Sequence, residues 1–121
     1  MKLMIVDDNE DVRFFLRSLF EDKAEEIIEC SNGLTAVELY NEHQPDVVLM
    51  DIEMKTMDGI TATEKIIQRN PQAKIIVITS HTDKKLKESS ISAGAIAFVL
   101  KDNLMELEEI INKEIQINRG N

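Results

Sequence analysis

Acidic residues stand directly after two short apolar runs of the chain. Asp7 and Asp8 follow the run Leu3–Val6, and Asp51 follows the run Val47–Met50. Carboxylates that gather without a cation repel one another, whereas a hard divalent ion with oxygen ligands removes the conflict. If the fold brings these three side chains together, the sequence therefore predicts a Mg²⁺ site.

Two further polar residues, Thr79 and Lys101, also follow apolar runs. A hydroxyl and an ammonium beside a carboxylate–metal cluster are the groups that phosphoryl oxygens need. Taken singly, each residue has an ordinary alternative. Thr79 would suit a strand, Lys101 would suit a solvated surface, and Asp7 or Asp8 would suit the N-terminus of a helix. Convergence on one edge of a sheet is what favours a phosphoryl-binding site.

The elements that must position these residues are readable from the pattern of apolar residues. Five short, nearly unbroken apolar runs are typical of strands covered on both faces of a parallel sheet. They are Leu3–Val6, Ile27–Cys30, Val47–Met50, Ile75–Ile78 and Ala97–Leu100. Segments of helical period follow the strands. The widest apolar stripe is that of Val12, Phe15, Leu16, Leu19 and Phe20.

The fourth helical segment, residues 84–93, has only a thin apolar face before Gly94, which is suited to ending a helix. We therefore predict a loosely held helix at this place. The chain as a whole has a (βα)₅ pattern. Right-handed crossovers restrict that pattern to a doubly wound sheet, and the five-stranded flavodoxin-like form runs in the order 2-1-3-4-5. Its crevice opens at the carboxyl ends of strands 1 and 3, where the acidic residues stand.

Length, charge and cysteine content narrow the classes of function. The 121 residues predict one α/β domain over 1–121, and the net charge of −9 disfavours direct binding of nucleic acid or anionic lipid. A single cysteine, Cys30, cannot form an internal disulfide, and no apolar run has the length of a membrane span. We expect a cytoplasmic protein in which Cys30 is a buried apolar residue.

The motifs together resemble those of the receiver domains of two-component response regulators, along essentially the whole chain. In order they read IVDD, DVVLMDIEM followed by MDGI, IIVITSH and GAIAFVLKD. The resemblance implies that Asp51 accepts a phosphoryl group from a sensor histidine kinase or a phosphotransfer protein, forming an aspartyl phosphate. It also implies that Thr79 and Lys101 receive the phosphoryl oxygens. Such a domain is a phosphoacceptor that assists only its own phosphorylation and dephosphorylation.

The resemblance further implies a metal site and a switch. Mg²⁺ would be held by Asp8, Asp51 and the backbone carbonyl of Glu53, with Asp7 acting through water. In the switch, Thr79 moves toward the phosphoryl group and Phe98 turns inward, which biases the fourth helix. A plain core-packing role for Phe98 remains open.

Several positions depart from the family pattern or modify it. Lys55 and Asp102 stand where many members have Pro, which predicts a looser or differently shaped acceptor loop and no cis bond after Lys101. Glu53 and His81 occupy positions that adjust the lifetime of the phosphoryl group in the family. The segments ITATEKI, NPQAKIIVIT and VLKD resemble those of the LuxR-type class. The chain is therefore interpreted as a stand-alone regulator or as the N-terminal part of a LuxR-type transcriptional regulator.

Three alternatives compete with this interpretation. An aspartate-dependent phosphatase would need an Asp at position 53 and a cap domain, and a flavin module would need a Ser/Thr/Gly-rich loop at positions 7–10. A phosphorylation-independent adaptor would use the same fold only for docking.

In both the phosphorylated and the adaptor case, the fourth helix, fifth strand and last helix form the expected partner surface, with a receiver homodimer as one expected assembly.

Overall fold

The computed structural model describes the backbone of residues 1–119 and the side chains of residues 1–115; the predicted domain, 1–121, ends two residues beyond it. The strands are β1 (Lys2–Val6), β2 (Glu26–Cys30), β3 (Val47–Asp51), β4 (Ile75–Thr79) and β5 (Ala97–Leu100). The helices are α1 (Glu10–Phe20), α2 (Gly33–His43), α3 (Gly59–Arg69), α4 (Lys84–Ser92) and α5 (Met105–Arg119). A short 3₁₀ turn, Lys101–Asn103, connects β5 to α5.

The strands form one parallel sheet in the order β2-β1-β3-β4-β5. This arrangement confirms the predicted doubly wound fold. In the register, Val6 pairs with Met50 and Thr79 pairs with Leu100, so the carboxyl ends of the central strands are level. The residues that follow these ends are therefore brought to one edge of the sheet.

Alternate residues of each central strand serve two separate cores. On β1, Leu3 and Ile5 pack with α1 and α5, whereas Met4 and Val6 pack with α2 and α3. This period-2 division is why the strands are apolar at almost every position. Both faces of the central strands are covered, so the polar groups stand at the ends of these strands.

The first four helices begin at the carboxyl edge of the sheet, and each is stabilised at its start by the residue directly before it. Each of the first four follows an Asn or Asp whose side-chain oxygen accepts a hydrogen bond from a backbone N–H of the first turn. These residues are Asn9, Asn32, Asp58 and Asp83. In α4, Ser90 is the buried residue, and Gly94 beyond its end has a φ of 113°. The helix therefore lies where it is predicted and has little apolar anchoring of its own.

Two expectations about burial are wrong. The edge strands β2 and β5 are not fully buried: Glu26 and Glu29 of β2 are exposed, and three of the four residues of β5 are only partly buried. Cys30 at the end of β2 is buried as predicted. In α1, Phe15 is 49% exposed. Successive helical residues are about 100° apart, so Phe15 lies at the margin of a stripe centred near Leu16.

The peptide bonds of the described residues are all trans, including the one before Asp102, as predicted. Among the same residues, no helix has both the length and the apolar character needed to cross a lipid bilayer.

Candidate phosphoryl-acceptor site

Three carboxylates meet at the carboxyl edge of the sheet. Oxygen atoms of Asp7, Asp8 and Asp51 all lie within 4.8 Å of one another. Asp7 is 2% exposed and Asp51 is 6% exposed, whereas Asp8 faces solvent. A cluster that is partly buried and open on one side combines a strong need for a cation with a path by which one enters.

Asp7 is positioned by backbone bonds. Its N–H donates to the carbonyl of Cys30 at 3.0 Å, and its Oδ1 accepts from the N–H of Asn9 at 2.9 Å. The N-cap of α1 is Asn9, whose side chain accepts from the N–H groups of Asp11 and Val12. Asn9 therefore caps the helix, which the sequence also allowed for Asp7 or Asp8. The side chains of the two aspartates lie in the carboxylate cluster instead.

Lys101 supplies the positive charge of the site. Its Nζ lies 3.1 Å from Asp7 Oδ2 and 3.3 Å from Asp51 Oδ1, and its side chain is 22% exposed. Lys101 is therefore not a solvated surface lysine. One ammonium faces three carboxylates, so the cluster of these four side chains retains an excess of negative charge when all are ionised.

The excess of negative charge shifts the pKa values of the site. The pKa of Asp51 is raised to about 6, mainly because the carboxyl group is buried and also because the charges of Asp7 and Asp8 lie nearby, while Lys101 opposes the increase. Burial alone would lower the pKa of Lys101, but Asp51 and Asp7 outweigh that effect and raise it. Lys101 therefore remains charged, and the pKa of Asp51 lies nearer to neutral pH than that of an ordinary aspartate.

Thr79 ends β4 and is 1% exposed, and its Oγ1 accepts a hydrogen bond from the N–H of His81 at 3.1 Å. Thr79 pairs with Leu100 of β5, and Ile78, the residue before it, pairs with Asp51 of β3. The hydroxyl is thus placed at the same edge as the carboxylates. The structure brings Asp7, Asp8, Asp51 and Lys101 into one cluster and places Thr79 at the same edge of the sheet.

Phe98 lies farther along β5. It pairs with Val77, packs against the small core of Ile52, Val77 and Ala95, and is only partly buried. The side chain also lines a cavity of about 320 Å³ between α4 and the start of α5. Phe98 therefore has both a packed side and an open side, as either of its two interpretations requires.

The acceptor loop, residues 52–58, contains a tight turn. The N–H of Met57 donates to the carbonyl of Lys55 at 2.8 Å, and Thr56 between them has a φ of 73°. This is a γ-turn of the rare, strained kind, on a β-branched residue. The loop that contains Lys55 is thus closed by a tight turn.

Sequence reasoning missed the role of Gly59, although it stands within the MDGI motif. Its N–H donates to the carbonyl of Ile52 at 2.8 Å, and a Cβ built on it would lie 1.9 Å from the carbonyl oxygen of Asp51. The start of α3 is packed directly against the backbone at the end of β3. Only glycine allows this approach.

A second missed feature is a contact between Glu53 and His81. Nε2 of His81 contacts Oε1 of Glu53, and the two side chains are 47% and 68% exposed for His81 and Glu53 respectively. The sequence treats these residues separately because 28 positions along the chain divide them, a difference taken from their numbers 53 and 81. The fold joins them because β3 and β4 are neighbours.

Comparison with known proteins agrees with this geometry. The family model for the response regulator receiver domain matches residues 3–113. The chain is 43% identical over 122 residues to YhcZ, an uncharacterized transcriptional regulatory protein of Bacillus subtilis, covering 99% of this chain and 56% of YhcZ. It is 38% identical over 116 residues to the chemotaxis protein CheY of the same organism, covering 94% of this chain and 97% of CheY.

A solved structure shows the same likeness. A LuxR-family DNA-binding response regulator from Staphylococcus aureus has a TM-score of 0.84 with this chain at 31% identity. The match covers 93% of this chain and 97% of the other. The chain thus spans nearly all of some relatives and only about half of YhcZ, whose full length includes a further part.

Proposed function

Because this chain belongs to the response regulator receiver family, we propose that it takes a phosphoryl group onto Asp51 and changes conformation in response. The observation that carries the proposal is the placement of Lys101 Nζ, 3.3 Å from Asp51 Oδ1, beside a cluster of three carboxylates. A nucleophile, a fixed cation and a place for a second cation are the parts that phosphoryl transfer needs.

The donor set fits Mg²⁺. Carboxylate oxygens of Asp8 and Asp51 would hold the ion with the backbone carbonyl of Glu53, and Asp7 would act through water. All-oxygen ligands are those that this hard cation prefers, and the exposure of Asp8 leaves room for the waters that it retains. When bound, the ion neutralises charge on the acceptor and on the incoming phosphoryl group.

The protein's own residues then account for the transfer. The donor is a phosphohistidine of a sensor kinase or phosphotransfer protein. A carboxylate oxygen of Asp51 forms the new O–P bond while the P–N bond breaks, and the imidazole leaves with its electron pair and takes up a proton. Lys101 Nζ, already beside Asp51, pairs with one phosphoryl oxygen, and the hydroxyl of Thr79 donates to another.

Movement of Thr79 toward the phosphoryl group would transmit the event. It would free space beside β4, into which Phe98 turns from its partly exposed position. Helix α4, whose buried residue is Ser90, has little apolar anchoring to resist a shift. Phosphorylation of Asp51 would thereby change the surface formed by α4, β5 and α5.

That surface is the proposed site for partners, including a second receiver. Since YhcZ extends well beyond the length that this chain matches, the domain would serve either as a stand-alone regulator or as the N-terminal part of a LuxR-type transcriptional regulator. A phosphorylation-independent adaptor is the second candidate. The intact set of Asp8, Asp51, Thr79 and Lys101 favours the phosphorylated function over it.

The test is phosphorylation of the purified chain by acetyl phosphate and Mg²⁺, followed by intact mass. We expect a gain of one phosphoryl group that is lost with EDTA and in Asp51→Asn. Glu64→Gln, an exposed change on α3, is the matched control and should accept the group normally. A folded wild type that binds Mg²⁺ but gains no mass would favour the adaptor.

A further inference from the structure

An arginine of α1 holds the backbone of the acidic cluster. Nη1 of Arg13 donates to the backbone carbonyl oxygen of Asp7 at 2.8 Å. That carbonyl belongs to the peptide unit that joins Asp7 to Asp8. Because a peptide unit is planar, a bond that fixes its oxygen also fixes the direction in which the chain enters the next residue. Arg13 therefore acts on the backbone of both aspartates.

Arg13 is itself held by a residue of the edge strand β2. Its Nε donates to Oε1 of Glu29 at 3.2 Å, and its side chain is only 18% exposed. The other carboxylate oxygen of Glu29 accepts from Nη1 of Arg17 at 3.0 Å. Glu29 therefore joins two arginines of α1 to β2, and Arg13 extends the connection to Asp7.

The charge of Arg13 works against the proposed Mg²⁺ site, because one cation beside the site repels another. The carboxylate of Glu29 offsets that charge, while the planar guanidinium still presents a fixed donor to the carbonyl of Asp7. The arrangement keeps the hydrogen bond and reduces the repulsion. A role in orienting the backbone therefore accounts for Arg13 better than a role of its charge.

We propose that Arg13, oriented by Glu29, positions the Asp7–Asp8 backbone for the binding of Mg²⁺. Asp8 is exposed, so the direction of its carboxylate depends on the backbone that carries it. A backbone that is fixed before the ion arrives lowers the cost of ordering the ligands on binding. Arg13 and Glu29 are positioning residues, and this inference rests on the proposed function.

The first experiment measures the dissociation constant of Mg²⁺ by isothermal titration calorimetry, with no phosphodonor present. We expect the constant to rise about tenfold in Arg13→Met, the lower end of the range for residues that orient metal ligands. Arg17→Met is the matched control, because it removes the same charge from the same helix and also loses a bond to Glu29. It should change the constant by about twofold or less, since salt screens an exposed charge.

The sign of the effect separates positioning from charge. If Arg13 acted only through its charge, removing it would strengthen Mg²⁺ binding, because the site would become more negative. Positioning predicts weaker binding. Unchanged or tighter binding in a folded Arg13→Met would therefore overturn the proposal.

Glu29→Ala tests the other end of the connection and keeps Arg13 in place. The side chain of Glu29 is 35% exposed, so its removal should leave the fold intact. We expect the dissociation constant to rise about two- to fivefold, the size expected for an exposed pair. The double variant with Arg13→Met should match Arg13→Met alone, because Glu29 acts through Arg13. Wild-type affinity in Glu29→Ala, or additive losses in the double variant, would refute the connection.

A second measurement needs no metal. The N–H of Asn9 donates to Oδ1 of Asp7 at 2.9 Å, so its hydrogen exchange reports how firmly this segment is held. In EDTA, exchange should be at least about twofold faster in Arg13→Met and unchanged in Arg17→Met. Exchange that does not respond to Arg13→Met would contradict the positioning role. If wild type binds no Mg²⁺, the proposed metal site fails, and this exchange still decides whether Arg13 holds the backbone of Asp7.

Discussion

A Cβ on Gly59 would lie 1.9 Å from the carbonyl oxygen of Asp51. The first residue of α3 and the last residue of β3 are therefore in backbone contact, and this contact fixes the position of the Asp51 backbone. We predict that Gly59→Ala destabilises the fold by about 1–3 kcal/mol or more, the range for overpacking a tight site. Urea unfolding would measure the loss.

The same variant should also accept phosphoryl groups more slowly, because the added methyl displaces the backbone of Asp51. Glu64→Ala, in the same helix but exposed, is the control for a change to alanine in α3. Wild-type stability in Gly59→Ala would show that the helix can move away from β3 at no cost.

The raised pKa of Asp51 predicts an unusual dependence of stability on pH. Because the pKa is about 6 in the folded chain and near its ordinary value of 3.8 when unfolded, the folded state binds more protons between these values. The contribution of Asp51 is most favourable below about pH 4 and is lost as pH rises toward 6. In the absence of Mg²⁺, the charged group is a cost at neutral pH.

Asp51→Asn should therefore stabilise the metal-free chain at pH 7.5 by on the order of 2 kcal/mol, and by much less at pH 4. Thermal unfolding in EDTA at several pH values would measure the difference. A stabilisation independent of pH would mean that ionisation of Asp51 is not its cause.

Thr56 holds a φ of 73° in the γ-turn of the acceptor loop, a conformation that glycine adopts without strain and a β-branched residue does not. We predict that Thr56→Gly stabilises the chain by about 1 kcal/mol, because relief of strain exceeds the entropy that glycine loses on folding. Lys55→Gly in the same loop has no positive φ to relieve and should destabilise slightly. Equal effects of the two changes would refute the strain.

Lys101 offsets two buried carboxylates, with its Nζ 3.1 Å from Asp7 and 3.3 Å from Asp51. Lys101→Met should cost about 1–3 kcal/mol of stability without Mg²⁺ at pH 7.5, because it leaves these charges uncompensated. The exposed Lys65→Met on α3 should cost little.

Added Mg²⁺ should stabilise Lys101→Met more than it stabilises wild type, since the ion then supplies the missing charge. Phosphorylation of Asp51 should remain slow even so, because the partner for the phosphoryl oxygen is gone. Thermal shift and intact mass together test both statements. Normal phosphorylation of Lys101→Met would remove Lys101 from the proposed transfer.

The sequence by itself determined the fold and the composition of the site. The apolar runs, the helical periods and the Asn or Asp residues before the helices are local signals, readable within a few positions, and they predict the (βα)₅ sheet with Asp7, Asp8 and Asp51 at one edge. Even the weak anchoring of α4 follows from its residues. These predictions agree with the structure because parallel strands buried on two faces leave few alternatives.

Only the tertiary structure decided which neighbours these residues have. It placed Lys101 between Asp7 and Asp51, packed Gly59 against the backbone of Asp51 and brought Glu53 into contact with His81. It also exposed Phe15, which the helical period assigns to the core. Such facts depend on how different strands, helices and loops pack against one another, and a local pattern carries no information about that packing.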